Sequence, residues 1–376
     1  MGKDKIPVVT RRSDFVYPQS GYERHNPSIV DVVAPVVCTA AVRQQPQFFP
    51  IPSQVTSMHQ NERVTVGITC FNARDTIGNA IRSAQAQDWP DIEILIVDDA
   101  STDGSSEYVA SLISGDSRIR LICHSENGGA ARARNTIIEA ATGGFIVFFD
   151  DDDESAGSRV TLQIAAIKDF EASNGSRTVA CYAAGVRIYP NGHRKPLPAI
   201  GSAGTTPCGT DVADYLLFYR RRPDYFYGAG TPTCALMARR EVFRELGGFD
   251  ATLKRVEDVD FAIRLALAGG CFIGTAENLF LQHSTQGSDK SPDANRSAEI
   301  AVAKKHERYL RSVGRYHYAS HWPNLRYYHF KRQYFRFIAQ FFLIAVRNPI
   351  LATSHLMASG PKRLRHERRM NKRNMQ

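Results

Sequence analysis

Between Arg63 and His283 the spacing of apolar positions switches repeatedly, and each switch marks a new element. Val64-Thr-Val-Gly-Ile-Thr69 is a β-branched run. Ile92-Glu-Ile-Leu-Ile-Val97 and Phe145-Ile-Val-Phe-Phe149 are apolar enough to be strands covered on both faces. Ile119–Cys123 predicts a further strand. Between them, the segment 75–87 puts Ile77, Ala80, Ile81 and Ala84 on one helical face, and Ser105–Ile113 and Ala130–Ala141 predict two more helices. Strands and helices alternating at this spacing imply right-handed crossovers, hence an α/β fold with a mostly parallel sheet between helices. A helix over 157–170, a strand over Val179–Tyr189, a Gly/Pro-rich loop to Cys208 and a strand over Cys234–Ala238 follow. Helices over Arg240–Leu246 and Val256–Ala268 each end at paired glycines.

Open parallel sheets bind ligands beyond the carboxyl ends of their strands, and the polar residues of this chain gather there. Val97 is followed by Asp98-Asp99-Ala-Ser-Thr-Asp103-Gly104, Cys123 by His-Ser-Glu-Asn127-Gly128-Gly129, and Phe149 by Asp150-Asp151-Asp152-Asp153-Glu154. Crowded carboxylates raise one another's pKa unless a cation neutralises them, and hard oxygen ligands suit Mg2+ or Mn2+. The same residues also suit a solvated acidic loop, with Asp153 or Ser155 capping the next helix. Asp98 and Asp99 can accept hydrogen bonds from a base N–H or a ribose hydroxyl, or simply build a turn. Arg134, in the helix after the glycine turn, is a surface arginine or a partner for Asp99 or a diphosphate. Glu257 and Asp258 either complement a helix dipole or supply a general base. His283 is a strand-end histidine or a metal ligand.

Taken in order, Val64–Thr69, Asp98–Gly104, Asn127–Asn135, Phe149–Asp153, Gly247-Gly-Phe-Asp250 and Glu257-Asp258 resemble the family 2 glycosyltransferases of the GT-A fold. The resemblance covers about Arg63 to His283. It implies inverting transfer of sugar from a nucleotide-diphosphate donor, usually UDP-linked, with Mg2+ or Mn2+. Under it, Asp99 contacts the base, Asp150 and Asp152 form the D-x-D metal and diphosphate motif, Asp258 is the general base and His283 an added metal ligand. Thr69, Phe71, Asp98, Asn127, Arg134, Asp151 and Glu257 are expected to complete the substrate site. Processive members carry Q-x-x-R-W after the E-D pair. Here Gln333-Tyr-Phe-Arg336-Phe337 comes late and ends in Phe, so addition of a single sugar to a saccharide or lipid-linked saccharide is expected, as in surface polysaccharide synthesis. Two other readings stay open. A sugar-1-phosphate nucleotidyltransferase would want a glycine-rich phosphate loop where this chain has Cys70-Phe71-Asn72-Ala73. The other is a catalytically inactive membrane- or nucleic-acid-binding protein on the same scaffold.

The 376 residues and mean hydropathy of −0.30 fit a globular protein with enough chain for a large core. The proline-punctuated segment 1–60 predicts an extended leader, 61–310 the transferase domain, and 311–376 a helical, basic region. No signal-type apolar core follows the first residues. The cysteines show no C-x-x-C pair and predict buried thiols in a reducing compartment rather than disulfides. The net charge of +9 concentrates near the end, where Glu367 alone opposes Lys362, Arg363, Arg365, Arg368, Arg369, Lys372 and Arg373. The apolar run Phe335–Val346 is shorter than the roughly 20 residues a bilayer requires. It predicts a core-packing helix or, with the basic tail, an interfacial one on an anionic membrane, placing the protein at the cytoplasmic face of the inner membrane. Nucleic acid is not an expected partner.

Overall fold

Strict alternation of buried side chains builds the centre of the molecule. In the computed structural model, which describes residues 62–284 and 291–373, β1 (Val64–Cys70), β2 (Ile92–Asp98), β3 (Ile119–Cys123) and β4 (Phe145–Asp150) are parallel neighbours in the order β3-β2-β1-β4. The leader expected over 1–60 lies outside the described residues. Ile94 and Ile96 of β2, with Phe145, Val147 and Phe149 of β4, enter one hydrophobic core, while Leu95, Val97, Ile146 and Phe148 enter the other. The period is 2 and both sides are apolar because helices cover both faces. α1 (Ile77–Gln85) and α4 (Arg159–Asn174) close the first core, α3 (Ala130–Ala140) and α7 (Glu257–Leu267) the second. α2 (Ser105–Ile113) completes the crossover from β2 to β3.

Beyond β4 the sheet turns mixed. β8 (Leu236–Arg239) runs antiparallel to β4 and to β6 (Val179–Ile188), and β9 (Cys271–His283) runs parallel to β6. The two-residue β5 (Glu154–Ser155) pairs with the end of β9 and ties the acidic segment to His283. The expected α/β arrangement, a sheet flanked by helices with a helical C-terminal region, is observed, but the sheet is mixed rather than mostly parallel, because β5, β7 and β8 all pair antiparallel.

Three details depart from the sequence reading. The stretch before Cys208 contains β7 (Arg194–Leu197), paired to β6. The strand expected from Cys234 begins as a 3-10 turn, Thr233–Ala235. Cys208 and Cys271 form a disulfide across an isolated antiparallel bridge that holds their Cα atoms 4.1 Å apart, so the expectation of thiols only is corrected. The backbone pairing creates that proximity, and a separation of 63 residues along the chain gives no sign of it. Cys70, Cys181 and Cys234 are buried thiols, and Cys123 is an exposed one.

α5 (Thr210–Phe218) packs on α7, and α6 (Arg240–Glu245) follows β8. The C-terminal helices are α8 (Pro292–Lys305), α9 (Glu307–Ser312), α10 (Tyr316–Phe330), α11 (Tyr334–Ala345) and α12 (Pro349–Arg373). They share a third core, in which Phe218 of α5 meets Leu310, Tyr318, Trp322, Leu325, Ile344 and Ala352. Only Ile344 of α11 is buried. No helix among the described residues is long and apolar enough to cross a membrane.

Candidate functional site

Sheet register sets the site. Cys70 lies opposite Asp98 and Thr69 opposite Asp150, so the ends of β1, β2 and β4 present their polar residues side by side. Asp98 folds the turn after β2, accepting from the Ser101 backbone N–H at 3.0 Å and its hydroxyl at 2.5 Å. Asp99 reaches sideways to the next turn. Its carboxylate accepts from the backbone N–H of Gly128 at 3.1 Å and Gly129 at 2.6 Å, and lies 2.7 Å from His124 Nδ1. The Asn127 side-chain amide donates to the Asp99 carbonyl at 3.2 Å. Asp98, Asp99 and Asn127 therefore form one rim along these turns, and Phe71 at the end of β1 instead donates its N–H to Asp151 of the aspartate cluster at 3.1 Å.

Arg134 links this rim to a helix far away in sequence. It is 7% exposed, not on the surface, and its partner is not Asp99. It donates to Glu257 at 2.5 Å and lies 3.7 Å from Asp150, with the Phe249 ring 5.5 Å away. Asn135 on the same helix clamps Phe249, accepting from its N–H and donating to its carbonyl, both at 2.8 Å. Gly248 takes φ 68°, and a Cβ there would strike the Asn135 amide, which is why the turn before α7 needs glycine. Through this clamp Glu257 and Asp258 sit at the mouth of the aspartate cluster.

Within the cluster, Asp150, Asp153 and Cys234 place ligand atoms within 4.8 Å of one another. Asp153 accepts from the His283 N–H at 3.1 Å through one oxygen, while the other is buried without a partner. The His283 ring turns to Glu154, 3.2 Å away. Burial, reinforced by the neighbouring carboxylates, raises Asp150; it pushes Asp151 up to about 7 and Asp153 to about 9, with Asp152 contributing to all three. Burial and then Glu257 push Asp258 up to about 6, against the pull of Arg134. Burial works against the charge of Arg134, yet Glu257 and Asp150 outweigh it and raise its pKa.

Sequence reasoning named neither Asp153 nor Cys234 as a ligand, reading Cys234 only as a buried thiol at a strand start, and passed over Arg159 entirely. Arg159 is 1% exposed, donates to the Phe148 carbonyl at 3.1 Å and stacks on Phe149 with 4.6 Å to the ring centroid. A cation in the first turn of a helix opposes the macrodipole, and that misplacement was its one visible signal. Cys234 carried none, since only the antiparallel return of β8 brings it under β4.

Residues 65–247 match the family described as Glycosyl transferase family 2. A putative teichuronic acid biosynthesis glycosyltransferase, TuaG of Bacillus subtilis, is 41% identical over 76 residues, which are 20% of this chain and 30% of that one. The UDP-Glc:alpha-D-GlcNAc-diphosphoundecaprenol beta-1,3-glucosyltransferase WfaP of Escherichia coli is 38% identical over 78 residues, 21% of this chain and 30% of that one. The matched segments thus span less than a third of these relatives. Among solved structures, S. aureus TarS 1-349 in complex with UDP has TM-score 0.48 and 21% identity over 65% of each chain. Over residues 65–247, with its aspartate cluster at the strand ends, the chain carries a family 2 glycosyltransferase domain.

Proposed function

We propose that this protein transfers a single sugar from a nucleotide-diphosphate sugar, UDP-linked, to a saccharide or lipid-linked saccharide acceptor with inversion, in surface or exopolysaccharide synthesis. The observation that carries the reading is the Arg134 bridge, which binds Glu257, 123 residues away in sequence, while lying beside Asp150, and so brings the residue before Asp258 to the aspartate cluster. The printed activities of TuaG and WfaP support the polysaccharide setting and, for WfaP, the UDP donor and lipid-linked acceptor.

Asp150 and Asp153 fit a divalent cation, because crowded carboxylates and a buried, unpartnered Asp153 oxygen are what such an ion would satisfy. Asp152 in the same turn, and His283 beyond it, are the remaining candidates to hold Mg2+ or Mn2+. When bound, the ion would offset negative charge on the departing diphosphate. The rim of Thr69, Phe71, Asp98, Asp99 and Asn127 would hold the nucleoside. Asp258 would take the proton of the acceptor hydroxyl as it attacks the face of the sugar opposite the leaving group. One displacement inverts the anomeric centre, and no covalent intermediate is needed. With its pKa near 6, Asp258 is mostly ionised at neutral pH and still basic enough to accept that proton. The test is nucleotide release on mixing the chain with UDP-, GDP- and dTDP-sugars and Mn2+. Turnover of a UDP-sugar supports the reading, and no release from any of the three sinks it.

A peripheral, cytoplasmic-face membrane location belongs to the same proposal. Phe335, Ile338, Phe342 and Val346 recur on one face of α11 and are 92%, 52%, 62% and 81% exposed. No Asp or Glu occurs between Glu307 and Glu367, a stretch that holds Arg326, Lys331, Arg332, Arg336 and Arg347, of which Arg326 and Lys331 pair with Glu299 and Asp293 of α8. An apolar face on a segment of sequence rich in cations and without carboxylates matches an anionic lipid surface. The protein is expected to sediment with phosphatidylglycerol vesicles at low salt and partly wash off at high salt. Replacing Phe335, Phe342 and Val346 together with Ser should weaken binding roughly tenfold or more. Undiminished sedimentation of that variant contradicts the assignment.

A further inference from the structure

Val256, the residue before Glu257, holds φ 58°, a left-handed conformation that a β-branched side chain rarely adopts. Such strain persists where surrounding structure imposes it, often at ligand clamps. Val256 and Val259 form part of the wall of a cavity of about 340 Å³ between α5, α7, α8, α10 and α12, within the range of about 300–1,000 Å³ typical of ligand pockets. Its walls are mainly apolar. Tyr219 and Trp322 stack on opposite sides of His355 at 3.9 Å each, and Tyr318 holds the His355 ring at 2.8 Å. Glu299 and Arg326 also line the cavity, but they pair with each other at 2.8 Å and so neutralise one another.

The cavity is connected to the aspartate cluster by the chain itself. Gly230 lies on its wall, and four residues later Cys234 stands beside Asp150 and Asp153. Along that short run the hydroxyls of Thr231 and Thr233 are buried, 4% and 3% exposed as residues, and lack partners. The buried Tyr182 hydroxyl also lacks a partner and lies within electrostatic reach of Asp258. Buried hydroxyls left unsatisfied are costly unless a ligand completes them. These hydroxyls do not line the cavity, which comes nearest the candidate base in sequence through Val256 and Val259, the residues on either side of Glu257 and Asp258.

We propose that the cavity is the subsite for the apolar aglycone of an amphiphilic glycoside acceptor, whose sugar end would be directed to Asp258, which lies between the lining residues Val256 and Val259 in the chain. This rests on the transferase reading and names the acceptor class.

The test uses the full chain carrying Trp89→Phe, which leaves Trp322 as the sole tryptophan. Octyl β-glucoside, kept below its micelle concentration, should shift Trp322 emission saturably and bind roughly tenfold or more tighter than methyl β-glucoside. Filling the cavity with Ala303→Leu, or with Leu216→Phe should the first disturb folding by circular dichroism, should weaken octyl glucoside binding roughly fivefold or more. Substituting Phe335 and Phe342 with Ser should leave it unchanged. Equal binding of the two glucosides, unchanged affinity in the filled variants, or loss only in the α11 variants overturns the proposal. Saturable octyl glucoside binding in a chain that releases nucleotide from no donor would leave the cavity assignment standing and remove the transferase reading instead.

Discussion

Asp258→Asn is expected to lower turnover by about two orders of magnitude or more, with donor affinity changed by no more than about twofold. The substitution removes the base but keeps the shape and the backbone contact at Val259, where the N–H lies 2.8 Å from Asp258 Oδ1. The pH profile separates this from a structural effect. Burial and Glu257 raise Asp258 to about 6, so in the parent kcat/KM should fall about tenfold per pH unit below that value as the carboxylate takes up a proton. The residual activity of the variant should lack that limb. If Glu257→Gln is the more damaging change, or if the acid limb survives in Asp258→Asn, the base has been misassigned.

The second large effect is on stability. Arg134 is buried among Glu257, Asp150 and Asp258, and its guanidinium lies against the first two carboxylates. Arg134→Met leaves those carboxylates buried without their partner, a change that costs about 3–5 kcal/mol when one member of a buried ion pair is lost. Urea unfolding measures it. Arg134→Lys should recover only part, because a single ammonium cannot span both carboxylates as the fork does. The acid limb of kcat/KM should also move upward in Arg134→Met, since the pull of Arg134 on Asp258 is gone. Stability within about 0.5 kcal/mol of the parent would mean that the bridge is a surface pair of little consequence.

Much of the architecture was legible because it follows from periodicity. β2 and β4 alternate between two apolar cores, and that demands helices on both faces, so the crossover order could be read directly from Val64 to Phe149. The aspartates after those strands were visible for the same reason, since the carboxyl edge of such a sheet is where ligands bind. What the sequence hid was partnership across distance. Nothing local tells whether Asp99 faces a ligand or the Gly128 and Gly129 amides, and the structure shows the amides engaged. Arg134 looked like an ordinary helix-surface residue because its partner Glu257 lies beyond five further strands. Cys208 and Cys271 meet only because β9 returns beside β6. The face of α11 was ambiguous because an apolar helix packs on a core or on a membrane with the same side chains, and its exposure cannot be read from the sequence.

The central claim is that this aspartate cluster binds a nucleotide-sugar diphosphate together with a divalent ion and breaks its glycosidic bond. Nucleotide release from the UDP-sugar selected by the donor screen, followed with Mn2+, with EDTA, and in Asp152→Asn with Mn2+, tests it most directly. The expected result is release by the parent with Mn2+, and a fall of about two orders of magnitude or more both with EDTA and in the variant. Release by the parent that is indifferent to EDTA, with Asp152→Asn turning over at the parental rate, would contradict it.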